Sequence, residues 1–335
     1  MRFGNILNHA NRPKDPSRSA NLMATRFLGT IIVVTHNSST CIRACLQALA
    51  PFRRWKVVVV DNNSTDDTIR EAGTCALEML TLSNSHNVGF ASAVNQAARV
   101  AEGDVLVLLN PDTLATAGSL DNLADALRAD TVGASCGLLL GAGGSPQKGF
   151  TIRRLPTIGS MLAEVLLLNR AWPGNPWNVR YRCLDLDYQT AQEVEQPAGA
   201  CLAVKRQAWD AVSGFDEGFF PVWFEDVDFC RRLRDKGWKI VYRPDAIFSH
   251  SGGHSVSRLA FRDRQSYWYQ NLVRYFAKHH GRAQTGLLRV GITVGLLLRA
   301  LLSLTGFGPS GIPVAEALEG YGHAAWQYGV KSTDL

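Results

Sequence analysis

The 335-residue chain has no Cys-x-x-Cys pair, no internal repeat, no low-complexity tract and no secretory-type apolar core near its start. Each absence excludes something. Seven cysteines without paired spacing exclude a zinc site and a disulfide framework. Cys41, Cys45, Cys75, Cys201 and Cys230 fall in apolar-periodic stretches and read as reduced core residues of a cytoplasmic protein. Without an apolar h-region the first residues are not a signal peptide. Arg2, Arg12, Pro13, Lys14, Pro16 and Arg18 make residues 1–27 an expected disordered extension, and Met23 could be the true start. The Gly-rich "GAGG" near residue 141 lacks the strand-to-helix setting of a dinucleotide fingerprint. What is present is 46% hydrophobic residues and a net charge of +6. The mean hydropathy is −0.05 and the pI about 9.0. A globular core is therefore affordable, and the charge favours anionic partners: phosphorylated small molecules, an anionic membrane surface or nucleic acid.

From Thr30 the pattern alternates. Apolar runs at Thr30–Thr35, Lys56–Val60, Leu80–Ser83 and Asp104–Leu109 read as strands. Helical spacing separates them over Ser39–Leu49, Asp66–Glu78, Phe90–Ala101 and Gly118–Leu127. Short continuous strands between helices predict an α/β fold, a mostly parallel sheet with helices on both faces. Three strands end in polar clusters: Thr35-His36-Asn37, Asp61-Asn62-Asn63-Ser64 and Asn110-Pro111-Asp112. Ligands of open parallel sheets bind outside the carboxyl ends of the strands, so three such clusters would line one crevice. Each alone would be ordinary turn chemistry. The stretch from Val132 to Asp187 is less regular, and its Trp172–Trp177 loop reads as packed rather than ligand-binding.

Several residues could carry chemistry. Asp61 follows four valines, and Asp66 is the better cap for the next helix, which leaves Asp61 free for a base or ribose. Asn87 can cap the helix that Gly89 and Phe90 open, whose amino end suits a phosphate. Asp112, with Asn110 beside it, suits a hard cation that also holds a phosphate. Glu225, Asp226 and Asp228 crowd the start of a helix whose Val227, Cys230 and Leu233 mark the buried face. The macrodipole explains part of this. Trp223 and Phe224 precede them, and a carboxyl desolvated by aromatic bulk suits a general base. His250 ends the strand-like run Ala246–Phe248 and is either a ligand or structural.

The ordered set "VVTHNSS", "VVVVDNNSTDDT", "NVGFASAVNQ", "LLNPDT", "GACLAVKRQAWDAVSGFDEGFFPVWFEDVDFCRRLRDKGW" and "IFSHSGGHS" resembles the family 2 glycosyltransferases of GT-A fold, over Thr30 to Tyr275. Within that family it is most similar to bacterial rhamnosyltransferases of cell-wall and surface-polysaccharide assembly. The resemblance implies an extension over 1–27 and a catalytic domain over 28–256. The latter divides into a nucleotide-binding half (28–130) and an acceptor-binding half (131–256), with a helical C-terminal region over 257–335. It implies that Thr35, His36, Asn37, Asp61 and Asn63 contact the nucleotide, with His36 where the family often has Tyr. Asn87, Gly89 and Asn110 would lie near the sugar nucleotide. Asp112 and His250 would hold a divalent metal, Mg²⁺ or Mn²⁺. Asp226 would be the base and Glu225 its orienting or acceptor-seating partner. The implied reaction is inverting transfer from dTDP-L-rhamnose to a lipid-linked or glycan acceptor. The alternatives are UDP-galactofuranose, UDP-GlcNAc or GDP-mannose as donor, or a non-catalytic nucleotide-sugar or glycan-binding protein.

Arg262, Arg264, Arg274, Lys278, Arg282 and Arg289 interleave with Tyr267, Trp268, Tyr269, Tyr275 and Phe276. That pattern fits a nucleic-acid surface or an interfacial helix on the cytoplasmic face of a membrane. A nucleic-acid partner is not expected, because it leaves the strand-end clusters unexplained. The run over 290–305, interrupted by Arg299, falls short of the roughly 20 apolar residues a span needs, and could instead be a packed helix.

Overall fold

The computed structural model describes residues 27–252 and 259–330. Residues 1–26 of the expected extension, and His254 with Ser255, lie outside the described residues. The first half runs β1 (Gly29–Thr35), α1 (Ile42–Leu49), β2 (Trp55–Asp61), α2 (Thr68–Gly73), β3 (Leu80–Ser83), α3 (Phe90–Val100), β4 (Val105–Leu109), β5 (Thr113–Ala115) and α4 (Ser119–Ala126). The second half runs β6 (Val132–Leu140), β7 (Ile152–Arg153), α5 (Ile158–Val165), α6 (Leu168–Ala171), α7 (Pro176–Tyr181), β8 (Gln192–Val194), β9 (Gln196–Pro197) and β10 (Cys201–Lys205). It continues through α8 (Arg206–Ala211), α9 (Glu225–Asp235) and β11 (Lys239–His250). Three helices close the described chain, α10 (Phe261–His279), α11 (Gly281–Leu304) and α12 (Val314–Ala324), with a π-helical turn over Ala325–Val330.

The central sheet has the order β3-β2-β1-β4-β10-β6-β11-β5, with β8 on β11. β1 pairs β2 and β4 in parallel, and β10 enters antiparallel between β4 and β6. Strict alternation along the buried strands divides the core. Ile32, Val34, Val58, Val60, Leu106 and Leu108 face α3, α8 and α9. Ile31, Val33, Val57, Val59, Val105 and Val107 face α1 and α4. Both faces are covered, which is why these strands read as continuous apolar runs.

Two expected boundaries move. The helix expected over Asp66–Glu78 is α2 alone. It stops at Gly73, where the Thr74 hydroxyl donates to the Glu71 carbonyl at 2.7 Å and tightens the last turn. The stretch after Val132, expected to be irregular, begins with the nine-residue strand β6. Its small residues hide it. A Cβ on Gly137 would lie 2.2 Å from the Ala246 carbonyl oxygen, so β11 crosses this point only over glycine.

The C-terminal helices do not form a detached basic arm. Tyr269, Tyr275 and Phe276 of α10 are buried in a third apolar cluster with Phe219 and Phe224. Arg274 and Lys278 pair with Asp216 at 3.3 and 2.7 Å, and Arg262 pairs with Glu319 at 2.9 Å. The aromatic and basic residues that resembled a nucleic-acid surface are therefore largely core and ion pairs. The Trp172–Trp177 loop packs through Asn175, which is fully buried and caps α7 at the Asn178 N–H, while both indoles stay about half exposed.

Candidate active site

Register brings the strand-end clusters together. Thr35 at the end of β1 sits opposite Asp61 at the end of β2, and Val33 opposite Leu109 at the end of β4. Beyond these ends lies a cavity of about 530 Å³, lined on this side by Thr35, His36, Asn62, Asn87, Asn110 and Asp112. The crevice read from the three clusters is thus present. It is lined as well by Gln196, Gly199, Trp223, Phe224, Glu225 and Asp226.

Not every residue implied by the resemblance faces this cavity. Asp61 is buried and occupied: its Oδ1 accepts from the Thr35 and Ser64 hydroxyls at 2.9 and 2.5 Å, and its Oδ2 from the Ser64 N–H at 2.9 Å. Asp61 thus closes an Asx-type turn onto Ser64 and is not among the residues that line the cavity. Asn37 and Asn63, both at positive φ, hold turns instead; the Asn37 side-chain Oδ1 accepts from the Thr65 N–H at 2.8 Å. Asn62 is the member of that cluster that reaches the cavity, a position not singled out from sequence. Its Nδ2 donates to Asn87 Oδ1 at 3.0 Å and to the Gly89 carbonyl at 3.2 Å, and its Oδ1 accepts from the Val88 N–H. His36 donates from Nδ1 to the Asn62 carbonyl at 2.9 Å, so its other face is presented to the cavity.

The amino end of α3 is not an open phosphate cradle. The Phe90 N–H donates to the Pro221 carbonyl at 2.8 Å, and the Gly89 N–H to Asn87 Oδ1 at 2.9 Å. Asn87 therefore holds the loop rather than capping the helix. Gly89 has φ 84°, and a Cβ there would lie 2.9 Å from the Phe220 ring, so only glycine lets the two loops meet.

Asp112 and His250 meet because β5 pairs β11 with His250 opposite Thr113. Their Oδ1 and Nε2 atoms are 3.5 Å apart, and both side chains are buried. Gln147, from the loop after β6, settles the imidazole tautomer. Its Nε2 donates to the His250 carbonyl at 2.8 Å, an oxygen that can only accept. Its Oε1 therefore faces His250 Nδ1 at 2.8 Å and takes that proton. Nε2 is left with its lone pair toward Asp112. Phe150 stacks on the ring, centroids 5.1 Å apart. A carboxylate and an oriented imidazole nitrogen are a donor set that suits a divalent cation. Among the described residues no third His, Cys, Asp or Glu joins them. The remaining positions fit phosphate oxygens and water, as for a cation that arrives with a diphosphate.

The segment that carries Glu225 and Asp226 rests on strained backbone. Trp223 and Phe224 take φ of 77° and 71° immediately before α9. Such conformations cost of order 1–3 kcal/mol each and persist where surroundings fix them. Buried Asn271 of α10 does so, donating to the carbonyls of Phe220 and Val222 at 3.2 and 2.8 Å. The turn presents Asp226 in a fixed pose. Its Oδ2 accepts from the Gly199 N–H at 3.0 Å and Gln196 Nε2 at 3.2 Å, and its Oδ1 from the Val227 N–H at 2.8 Å. Burial pushes the Asp226 carboxyl up, opposed by the Gly199 N–H and the charge of Arg153. Burial, then the Asp226 charge, pushes Glu225 well above the usual carboxylate range. Of the two, Asp226 has donors on both oxygens, which favour its carboxylate, and it is the one placed to accept a proton from a ligand. The aromatic desolvation expected of this segment is present.

Asp228, the third carboxylate of the segment, is structural. Its side chain is fully buried among Arg232, Lys278 and His279, each at 2.7 Å. Burial pushes its carboxyl up, but the His279 hydrogen bond and the Arg232 charge outweigh that and hold it at about 2. A depressed carboxyl stabilises the fold above its unfolded pKa, so this contribution fades as pH falls from roughly 4 toward 2.

Residues 30–186 match glycosyl transferase family 2, and residues 188–318 match glycosyl transferase family group 2. An N-acetylglucosaminyl-diphospho-decaprenol L-rhamnosyltransferase of Mycobacterium tuberculosis is 31% identical over 275 residues, covering 73% of this chain and 87% of that protein. A mannosyltransferase from Pyrobaculum calidifontis, solved with GDP-Man and Mn²⁺, superposes with a TM-score of 0.50 at 20% identity, over 89% of this chain and 80% of that one. Glucosyl-3-phosphoglycerate synthase from Mycobacterium tuberculosis, solved with Mn²⁺, UDP and phosphoglyceric acid, gives 0.50 at 12% identity, over 81% of this chain and 85% of that one.

Proposed function

The chain is a glycosyltransferase of family 2 with the GT-A fold, and on that premise we propose that it moves L-rhamnose from dTDP-L-rhamnose to a hydroxyl of a lipid-linked or polysaccharide acceptor, inverting the anomeric centre. The observation that carries this reading is one cavity lined by both an oriented, half-buried carboxylate, Asp226, and the Asp112–His250 pair. The 31% identical rhamnosyltransferase supports the choice of sugar.

In this reading His36, Asn62 and Asn87 meet the nucleoside end, with Asp61 and Asn37 bracing the turns that present them. Asp112 and Nε2 of His250 would hold Mg²⁺ or Mn²⁺, which supplies positive charge where the leaving diphosphate gains negative charge. Asp226 takes the proton from the acceptor hydroxyl, whose oxygen attacks the anomeric carbon from the face opposite the diphosphate. The Gly199 and Gln196 donors fix Oδ2, so the carboxylate is held in its reacting orientation before substrate arrives. Trp223 and Phe224 wall the base from water, which keeps the attacking oxygen the acceptor's own. Titration calorimetry with dTDP, UDP and GDP tests the donor: dTDP should bind most tightly, and more tightly with Mn²⁺ or Mg²⁺ than in EDTA. Preference for UDP or GDP would leave the transferase and remove rhamnose.

Helix α11 supports contact with a membrane surface. Leu287, Val290, Val294, Leu297, Leu301 and Leu304 are all exposed and recur at helical spacing. The stripe is about 26 Å long at 1.5 Å per residue. Arg299, the only charge in the run from Val290 to Leu304, turns inward and donates to the carbonyls of Val165 and Glu164, so the stripe stays uncharged. The opposite face is packed: a Cβ on Gly295 would lie 2.0 Å from the Val165 carbonyl oxygen. The helix is long and apolar enough to cross a membrane, yet a third of its most apolar window is buried in protein, which favours lying on a bilayer over spanning it. Replacing Leu297 and Leu301 together by Glu should abolish most co-sedimentation with anionic liposomes at unchanged melting temperature. Undiminished sedimentation would remove the stripe from this role.

A further inference from the structure

The segment that leads into Asp226 is gripped by one face of α10. Trp268, Asn271 and Tyr275 recur there at helical spacing. The rings of Trp268 and Tyr275 meet the Phe224 ring with centroids 6.0 and 5.9 Å away. Between them Asn271, fully buried, donates from Nδ2 to the carbonyls of Phe220 and Val222. The carbonyl in the middle, that of Pro221, accepts from the Phe90 N–H of α3. Three successive carbonyls are thus held by two different helices, immediately before the left-handed pair Trp223 and Phe224. Further along α10, Lys278 and His279 each hold Asp228 at 2.7 Å, so the start of α9 is fastened as well.

Asn271 is the unusual member of this face. Both its partners are carbonyl oxygens, which can only accept, so its amide cannot be reversed. Its Oδ1 is buried and, among the described residues, meets no donor. A buried acceptor without a donor costs stability, and a leucine of similar size would avoid that cost. What asparagine supplies is the pair of N–H groups that pins a strained turn. Released, Trp223 and Phe224 would relax. Asp226, two residues beyond, would then leave the Gly199 N–H and the Gln196 amide that orient it.

Resting on the reading of Asp226 as the base, we infer that Asn271 is a positioning residue for the reaction. It does not line the cavity. It acts through the turn it pins, and so α10 sets the geometry of a base that lies on another helix.

The test compares Asn271→Leu with the wild type, using dTDP-L-rhamnose, Mn²⁺ and a diphospho-lipid-linked N-acetylglucosamine acceptor. Turnover should fall by about 10- to 100-fold, the scale of a misplacement of about 1 Å, with dTDP affinity unchanged. The titratable and charged groups that face Asp226 are Glu225 and Cys230 on α9 and Arg153 on β7, and these stay the same in the variant. The donors to its carboxylate do not, and losing them favours the protonated form. The acidic limb of kcat/KM should therefore move to higher pH. A merely structural residue would lower the melting temperature and leave that limb in place. Asn271→Ser, whose hydroxyl is too short to bridge both carbonyls, should shift the limb the same way. Hydrogen exchange gives a readout without turnover: in Asn271→Leu the amides of Gly199 and of residues 222–228 should exchange faster, and those of β1, β2 and β4 at the wild-type rate. Wild-type turnover in Asn271→Leu, or a loss of turnover with the limb unmoved, would overturn the positioning role. So would a matching loss of dTDP affinity, which would put the damage at the nucleotide side. Full turnover in Asp226→Asn would instead remove the base reading on which the inference rests, a failure separable because it is read in a different variant.

Discussion

Replacing Asp226 by asparagine should lower kcat by about 10²- to 10⁴-fold, the contribution of a positioned general base. Nucleoside-diphosphate affinity should stay unchanged. The residue is chosen for its surroundings. Three donors hold its two oxygens, and an asparagine can keep the Gly199 and Gln196 bonds through its carbonyl while losing the capacity to take a proton. Shape survives and chemistry does not. The wild-type pH dependence carries the same signature. Burial favours the protonated carboxyl, and the base works deprotonated. The acidic limb of kcat/KM should therefore lie above the ordinary aspartate range of about 4, with activity rising as pH passes it. Full turnover in Asp226→Asn, with the melting temperature unchanged, would take the base role away from this residue.

Replacing Asp112 by asparagine should weaken Mn²⁺-dependent dTDP binding by about 100-fold or more, since loss of a supporting hydrogen bond at a metal ligand alone costs 10- to 100-fold. Binding measured in EDTA should be unaffected, which distinguishes a lost cation from a damaged nucleotide site. Gln147→Leu should fall between the two, because Gln147 fixes only which nitrogen of His250 is free. If Asp112→Asn binds dTDP and Mn²⁺ as the wild type does, the Asn110-Pro111-Asp112 turn has some other task, such as holding hydroxyls.

Much of the site could be read before the structure, because it lies at strand ends. A buried strand that stops at Asn-Pro-Asp announces a turn at the carboxyl edge of a sheet, and register then aligns three such turns without further information. The candidate base is legible for a similar reason: aromatic bulk beside paired carboxylates is a local pattern. What sequence does not specify is which way a polar side chain faces. Asp61 is the same residue whether it meets a ligand or accepts from Ser64, and the structure gives it to Ser64. The amino end of α3 looks open until the Pro221 carbonyl, 131 residues on, closes it. Gln147, Arg153 and Gln196 were missed because they sit in irregular chain joined only by a two-residue ladder, where no period exists to detect. The antiparallel entry of β10 was equally hidden, since a short apolar run carries no direction.

The most direct test is the product itself. Purified protein, Mn²⁺, dTDP-L-rhamnose and a diphospho-lipid-linked N-acetylglucosamine acceptor are incubated together, and the new linkage is read by NMR. Release of dTDP with a rhamnoside of anomeric configuration opposite to the donor's is the predicted result. Retained configuration would contradict a single displacement driven by Asp226, and transfer only from a UDP- or GDP-sugar would contradict the rhamnosyl reading.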